Sequence, residues 1–262
     1  MEQLDAIKVI AAIRPESRRQ LSRLEILPVV DSTNTYLLQK MRTNMTSGWV
    51  CLAEQQTQGR GRQGKTWYSP VGSNIYSSLL WRFQSIQNLP GLSLAVAVMV
   101  VDALQAYGIS EGIQLKWPND IWFAGRKLGG VLIENVNAAT VIGIGMNLQL
   151  PRDVLFSPSW IDIEEMTAAT PRRNYLIGLL LDSLLMQLPV FAVKGLAAFL
   201  PRWRRFDVLY KQRITVRSTQ QEMHGVAQGV NDMGELLLSD SSEVIRAFGV
   251  GEVSIGMGIE GS

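Results

Sequence analysis

Residues 59–66 read Gly-Arg-Gly-Arg-Gln-Gly-Lys-Thr, so Arg60 and Arg62 stand among Gly59, Gly61 and Gly64. Glycines leave the backbone amides open, and guanidinium forks add rigid donors. Such a loop can close over a phosphate or carboxylate. The same eight residues fit two phosphate-binding patterns, G-x-x-x-x-G-K-[ST] and G-x-G-x-x-G. Both need a strand before the loop and a helix after it, whose first amides hold the anion. Here Trp67-Tyr68-Ser69-Pro70-Val71-Gly72 follows, with Pro70 and Gly72 where the first helical turns would fall. Both residues oppose a helix there. Residues 79–84 also supply no acid for a dinucleotide ribose. A mobile cationic loop is expected, and a P-loop ATPase is the alternative that a helix after Thr66 would support.

A second group is Lys116-Trp117-Pro118-Asn119-Asp120, followed by Arg126-Lys127-Leu128-Gly129-Gly130. Pro118 biases Trp117 to extended geometry. Asn119 and Asp120 then sit at a strand exit, where they can reach a metal or ligand. Lys127 opens an apolar strand, so packing should hold its stem while its ammonium faces a cleft. Gly129 and Gly130 weaken that strand, which either a ligand close to the backbone or a bulged hairpin would explain. In Val141-Ile142-Gly143-Ile144-Gly145-Met146-Asn147, apolar residues alternate with glycine. One strand face then lacks side chains, which suits a flat slot for an apolar ligand or close packing against a helix.

Other chemistries are excluded by count. Cys51 is the one cysteine and His224 the one histidine, so there is no disulfide framework and no zinc site built from His and Cys. No Gly-x-Ser-x-Gly turn offers a nucleophilic serine. The reaction must run on Arg, Lys, Asp, Asn and backbone amides. Lys and Arg number 25 against 23 Asp and Glu, a net charge of +2. That is too weak for a surface that binds nucleic acid as a whole. The longest apolar stretch, Leu92 to Val101, is short of the ~20 residues a membrane span needs. Asp182, Gln187 and Pro189 interrupt the later run from Leu176 to Val193. No signal peptide is legible, so a cytoplasmic protein without membrane contact is expected.

Several elements must position these groups. Residues 4–13 read as a short helix ended by Pro15, and Ile26 to Val30 as a strand. Asp31-Ser32-Thr33-Asn34 can cap the helix that follows. Strands are expected at 49–55 and 75–83, and a buried helix from Leu92 to Tyr107 ending at Gly108. Shorter strands follow at 113–117, 121–123, 127–136 and 140–148, with Ala124-Gly125-Arg126 as a hairpin tip. Residues 172–210 are helical in two pieces, split near Pro189 to Gly195. Five short strands between Ile214 and Ile255 read as a small β-barrel. At 262 residues the chain suits one medium domain, 1–210, and one small domain, 211–262.

Taken in order, these segments resemble the biotin protein ligase family. The resemblance runs through Asp31-Ser32-Thr33-Asn34, Gln56 with Gly59-Arg60-Gly61-Arg62-Gln63-Gly64 and Trp67, Lys116-Trp117-Pro118-Asn119-Asp120, Arg126-Lys127-Leu128-Gly129-Gly130 and Gly143-Ile144-Gly145-Met146-Asn147. It continues through Arg202-Trp203 to Gly251-Glu252-Val253-Ser254. The implied fold is α+β: a mixed sheet packed by helices, like class II aminoacyl-tRNA synthetases, with a C-terminal SH3-like barrel. The implied reaction joins biotin to ATP as biotinyl-5′-AMP, with magnesium. Biotin then passes to a lysine of the biotin carboxyl carrier domain of acetyl-CoA carboxylase. A lipoate-type ligase on the same fold is the alternative.

The resemblance makes Lys127 the catalytic lysine, with Arg60 and Arg62 neutralising charge on one phosphate and Asp120 serving magnesium or holding Lys127. Ser32, Thr33 and Gln56 would meet the ureido ring, with Asn34 in the same binding set. Trp67 would pack near adenine with Asn147 at its polar edge. Gly61, Asn119, Gly130 and Gly145 complete the expected binding set. About 25 residues precede the first matching strand, too few for the winged helix-turn-helix of many relatives, so no DNA binding is expected. Family members can dimerise through sheet edges. Gly256 and Met257 follow Ile255 where relatives often carry a basic residue.

Overall fold

The computed structural model describes residues 2–40, 46–83, 89–136, 139–153, 157–217 and 222–255. The expected short N-terminal helix is α1 (Ala6–Ala11), and a further short helix, α2 (Pro15–Arg18), follows it. Asp5 caps α1 by accepting from the amides of Ile7 and Lys8, and Pro15 starts α2. Then come β1 (Arg23–Val30), α3 (Thr33–Lys40), β2 (Trp49–Gln56), β3 (Asn74–Arg82) and α4 (Leu92–Tyr107). Strands β4 (Ile113–Lys116), β5 (Asp120–Phe123), β6 (Arg126–Val136) and β7 (Ala139–Asn147) follow, then helix α5 (Ile163–Thr167). The run closes with α6 (Arg173–Lys194) and α7 (Leu200–Phe206).

Seven strands form one mixed sheet in the order β1-β2-β3-β7-β6-β5-β4. The β1–β2 pair is parallel, joined through α3, and the other pairs are antiparallel. Register decides what each face carries. Ile142, Ile144 and Met146 of β7 enter the large core with Ile75 and Leu79 of β3, beneath α4 and α6. The alternate residues Val141, Gly143 and Gly145 look the other way. They stand beside Leu80, Ser78 and Tyr76 of β3 and Glu134, Leu132 and Gly130 of β6. Helix α3 covers part of that second face, with a small core of Leu37, Cys51, Leu80, Ala139 and Val141.

The last helical stretch is two pieces, α6 and α7, as expected, and the break falls at the Gly195 end of the expected interval: α6 runs unbroken through Pro189 and stops at Gly195. It is long and apolar enough by composition to cross a membrane. Its side chains instead pack in the protein core, where Leu176, Ile177, Leu180, Leu181, Leu184 and Leu188 are buried. Asp182 is ion-paired to Arg14 on the way. Helix α5, capped by Asp162, was not foreseen.

After residue 211 the chain forms β8 (Arg213–Arg217), β9 (Glu222–Val230), β10 (Leu236–Ser239), β11 (Ile245–Phe248) and β12 (Glu252–Ile255). They pair in the order β11-β10-β9-β8-β12. All these pairs are antiparallel. Among the described residues β11 and β12 do not pair with each other, so this is a five-stranded sheet with open ends rather than a closed barrel. Trp117 joins it to the larger sheet, its indole N–H donating to the Gly234 carbonyl at 3.0 Å.

Cys51 lies under α3 and is fully buried. Burial, with the charge of Glu25 behind it, pushes its thiol up to about 12. At pH 8 only about one thiol in ten thousand would be ionised. Alkylation by iodoacetamide is therefore expected only after unfolding. Mass spectrometry of native protein that finds rapid labelling would refute this.

Candidate active site

The second face of the large sheet opens into a cavity of about 870 Å³. That volume lies within the range of small-molecule sites. Its wall includes Arg60, Arg62, Lys65, Lys116 and Lys127 against two carboxylates, Asp120 and Glu252. The excess positive charge that is small over the whole chain is gathered here.

At one end stands Lys127, held by its backbone. Its N–H donates to Ser159 O at 2.9 Å, and its carbonyl accepts from Ile161 N at 3.0 Å. The Lys127 ammonium meets Asp120 Oδ1 at 2.6 Å and lies 5.7 Å from the Trp67 ring centre. Asn119 is fixed by donating to Val131 O at 2.8 Å, while its Oδ1 receives Arg62 at 3.5 Å. Burial pulls the pKa of Arg62 down against the attraction of Asp120 and Glu252. Lys116 stacks on Trp122 at 4.4 Å, and burial likewise lowers its pKa. An anion entering this end would restore the stability of both charges.

At the other end the first turn of α3 presents Ser32, Thr33 and Asn34, all buried. Gln56 Oε1 accepts from Thr33 N at 3.0 Å, and its amide donates to Ser69 Oγ at 3.0 Å. Ser78 Oγ donates to Asn34 Oδ1 at 2.5 Å. These are polar groups fixed in a buried wall, able to read a polar ring and to reject one that leaves them unpaired.

The glycine–arginine loop spans both ends. It is neither a P-loop nor a dinucleotide turn, because residues 67–73 form no helix and lead directly into β3. The loop folds on itself: Gly61 N donates to Lys65 O at 2.7 Å and Trp67 N to Gly59 O at 2.9 Å. Tyr76 OH pins the exit by donating to Pro70 O at 2.7 Å. Lys65 meets Glu252 of β12 at 2.6 Å, so the C-terminal sheet closes one side of the site. Arg60 lines the same cavity as Arg62 and Lys127, and its guanidinium pairs with Glu134 at 2.9 Å and donates to Thr35 Oγ1.

The glycines divide by cause. A Cβ at Gly143 would come within 2.4 Å of Asn34, and one at Gly145 within 2.6 Å of Trp67. The slot read from their spacing is thus filled by the protein's own side chains. A Cβ at Gly129 would meet Gly145 O at 2.6 Å, a matter of strand packing. Gly130 alone of the four meets nothing closer than 3.5 Å, so its bare backbone is left open toward the cavity. Asn147 donates to Ile161 O at 3.1 Å and to Lys127 O at 3.4 Å, which braces the lysine strand from behind.

The sequence reading gave no role to Lys116, Tyr76, Trp122 or Glu134. The period-two alternation of β3 would have shown Tyr76 and Ser78 on one face, but not which face was covered. Gly256 and Met257 lie outside the described residues. His224 is exposed on β9 and hydrogen-bonded to Thr215 at 2.8 Å.

Residues 26–150 match the model of the biotin/lipoate A/B protein ligase family, and residues 212–256 match the biotin protein ligase C-terminal domain. The bifunctional ligase/repressor BirA of Salmonella typhimurium is 34% identical over 259 residues, covering 96% of this chain and 80% of its own. A biotin–[acetyl-CoA-carboxylase] ligase of Paracoccus denitrificans is 30% identical over 226 residues, covering 81% of this chain and 92% of its own. Among solved structures, a biotin protein ligase from Aquifex aeolicus in complex with biotin and ATP superposes with a TM-score of 0.79 at 25% identity. That match covers 91% of this chain and all of the other.

Proposed function

Because the chain belongs to the biotin/lipoate A/B protein ligase family and carries the biotin protein ligase C-terminal domain, we propose that it is an ATP-dependent biotin protein ligase acting on the carrier domain of acetyl-CoA carboxylase. The observation that carries this reading is one cavity with two chemically distinct ends. A cationic end holds Lys127, Arg62 and Lys116, and a neutral polar end holds Ser32, Thr33 and Gln56. A substrate with a carboxylate on one side and a polar ring on the other matches that division. ATP brings the phosphates.

In the first step the biotin carboxylate attacks the α-phosphorus, the bond to the β-phosphate oxygen breaks, and pyrophosphate leaves. Two anions must meet, so Lys127 and Arg62 lower the repulsion and stabilise the charge on the phosphorus oxygens. Asp120 aims the Lys127 ammonium. Magnesium arriving with the nucleotide would be held by Asp120 and the phosphates, as its preference for oxygen allows. Among the described residues no cluster of three His, Cys, Asp or Glu forms a separate metal cage. Trp67 and Trp122 line the cavity with buried indole N–H groups that have no hydrogen-bond partner among the described residues. A bound acceptor would satisfy such donors. In the second step the neutral carrier lysine attacks the acyl carbon, AMP leaves, and the nitrogen sheds a proton. The catalytic unit is assigned to residues 1–210 and the C-terminal unit to 211–262, in a cytoplasmic enzyme able to dimerise through sheet edges.

Biotin-dependent ATP–pyrophosphate exchange, with lipoate as the control, tests the reading. Exchange with lipoate and none with biotin would overturn it. The loop also shields the mixed anhydride from water. Arg62→Gly is expected to slow adenylate formation without abolishing it, since Lys127 remains, and to release the biotinyl-AMP that forms, raising labelling of an added bystander protein about tenfold or more per adenylate made. Labelling equal to the wild type would remove the shielding role.

A further inference from the structure

We propose that Glu134 is a positioning residue that holds Arg60 and so couples filling of the ring end of the cavity to closure of the glycine–arginine loop. This rests on the biotin ligase reading above. The geometry is a divided carboxylate. Glu134 Oε1 takes Arg60 at 2.9 Å, while Oε2 accepts from Asn34 Nδ2 at 2.9 Å and from Arg60 Nη1 at 3.4 Å. One carboxylate thus touches the loop and the first turn of α3 at once.

The Asn34 side is immobile. Asn34 is 3% exposed, receives Ser78 Oγ on its other amide atom, and sits on Gly143 where no Cβ could fit. Thr33, next in the chain, shares Ser78 and is tied to Gln56. Any ligand that presses on Thr33 and Gln56 therefore presses on the group that fixes Glu134. The loop side is bonded to itself. Arg60 bridges Thr66, and Gly61 is bonded to Lys65, so an anchor on Arg60 anchors the whole turn. Glu134 itself lies on β6, the strand that carries Lys127, and is paired with Val141 of β7. A rigid strand thus presents both the reacting ammonium and the loop anchor. No other acidic side chain is paired with Arg60 among the described residues.

Trypsin reads the loop directly, because Arg60, Arg62 and Lys65 are cleavage sites within it. Glu134→Gln keeps an acceptor for Asn34 but removes the charge facing Arg60. It is expected to raise nicking in the loop about fivefold at unchanged Tm, since cleavage follows the population of the open loop. In the wild type, biotin should slow nicking; in Glu134→Gln that protection should fall to less than half. In exchange assays KM for biotin should rise about tenfold while KM for ATP stays within about twofold, a split that a purely structural defect would not give. Wild-type nicking and wild-type biotin protection in a folded Glu134→Gln protein would overturn the proposal. If that variant does not fold, Glu134→Asp keeps the charge on a shorter stem. It should give a smaller change in the same direction, and no change would count against the proposal equally. A wild type that neither exchanges with biotin nor gains protection from it would instead refute the ligase reading.

Discussion

Lys127→Ala should lower biotin-dependent ATP–pyrophosphate exchange by at least about 10³-fold while leaving the protein folded. Removing a single donor aimed at developing negative charge costs about 10²–10³ in rate, and Lys127 carries a full charge toward two anions that must be brought together. The fold should survive because the position is held by its backbone bonds to Ser159 and Ile161, which alanine keeps. The local loss falls on Asp120, which would face the cavity without its 2.6 Å partner. Its side chain is 19% exposed, so water can replace part of that contact, and a stability loss of about 1–2 kcal/mol is expected. Arginine should not rescue the variant well. Its planar fork is longer and directs its donors differently from a compact ammonium. Exchange within about tenfold of the wild type would remove Lys127 from the chemistry, whereas loss of the folded thermal transition would make the assay uninformative for catalysis and redirect it to Lys127→Met.

Much of this site was legible because its residues are local signals. The glycine–arginine run, the Lys-Trp-Pro-Asn-Asp turn and Lys127 lie on short stretches whose composition requires loops and strand ends, and all of them line the cavity. The helix from Leu92 to Tyr107 was equally clear, since its apolar run and Gly108 cap need no partner to interpret. What the sequence concealed depends on register and on long-range contacts. Gly143 and Gly145 fitted either a ligand slot or packing against a helix, and only the distant partners decide: Asn34 of α3 sits on Gly143 and Trp67 on Gly145. Arg60 and Arg62 looked equivalent two residues apart. The turn sends one to Glu134 and the other to Asn119. Pro189 looked like a helix break, yet α6 accommodates it within 22 residues whose apolar side is buried along its length. Tertiary burial there outweighs the local cost of proline, about 3 kcal/mol.

The same dependence on distant partners makes Arg173 the most sensitive position for stability. Arg173→Ala is expected to lower stability by about 3–5 kcal/mol, the cost of leaving one partner of a buried pair alone. Arg173 opens α6 and is 1% exposed. Its Nε donates to Asn74 O at 3.1 Å and its Nη2 to Ala53 O at 3.3 Å, while Nη1 pairs with Glu54. Glu54 also accepts from Leu4 N at 2.6 Å, and the next residue, Asn174, bonds Asp5 N and Gln3 O. One guanidinium therefore joins α6 to β2 and β3 at the point where the N-terminal segment crosses them. Truncation leaves a mostly buried carboxylate, 15% exposed, and two carbonyls short of donors. For a chain of this size each kcal/mol moves Tm by about 2–4 °C, so a fall of about 10 °C is expected. Arg126→Ala provides the contrast, because the Arg126–Glu165 pair is exposed on both sides and should cost less than about 1 kcal/mol. Replacing both members of the buried pair, as Arg173→Met with Glu54→Leu, should recover more than half of the loss, since apolar groups of similar volume carry no unpaired charge. Calorimetry of these three variants decides the matter. An Arg173→Ala protein that melts within about 3 °C of the wild type would show that water reaches Glu54 after all. The junction of α6 with the sheet would then rest on the leucines of its buried face alone.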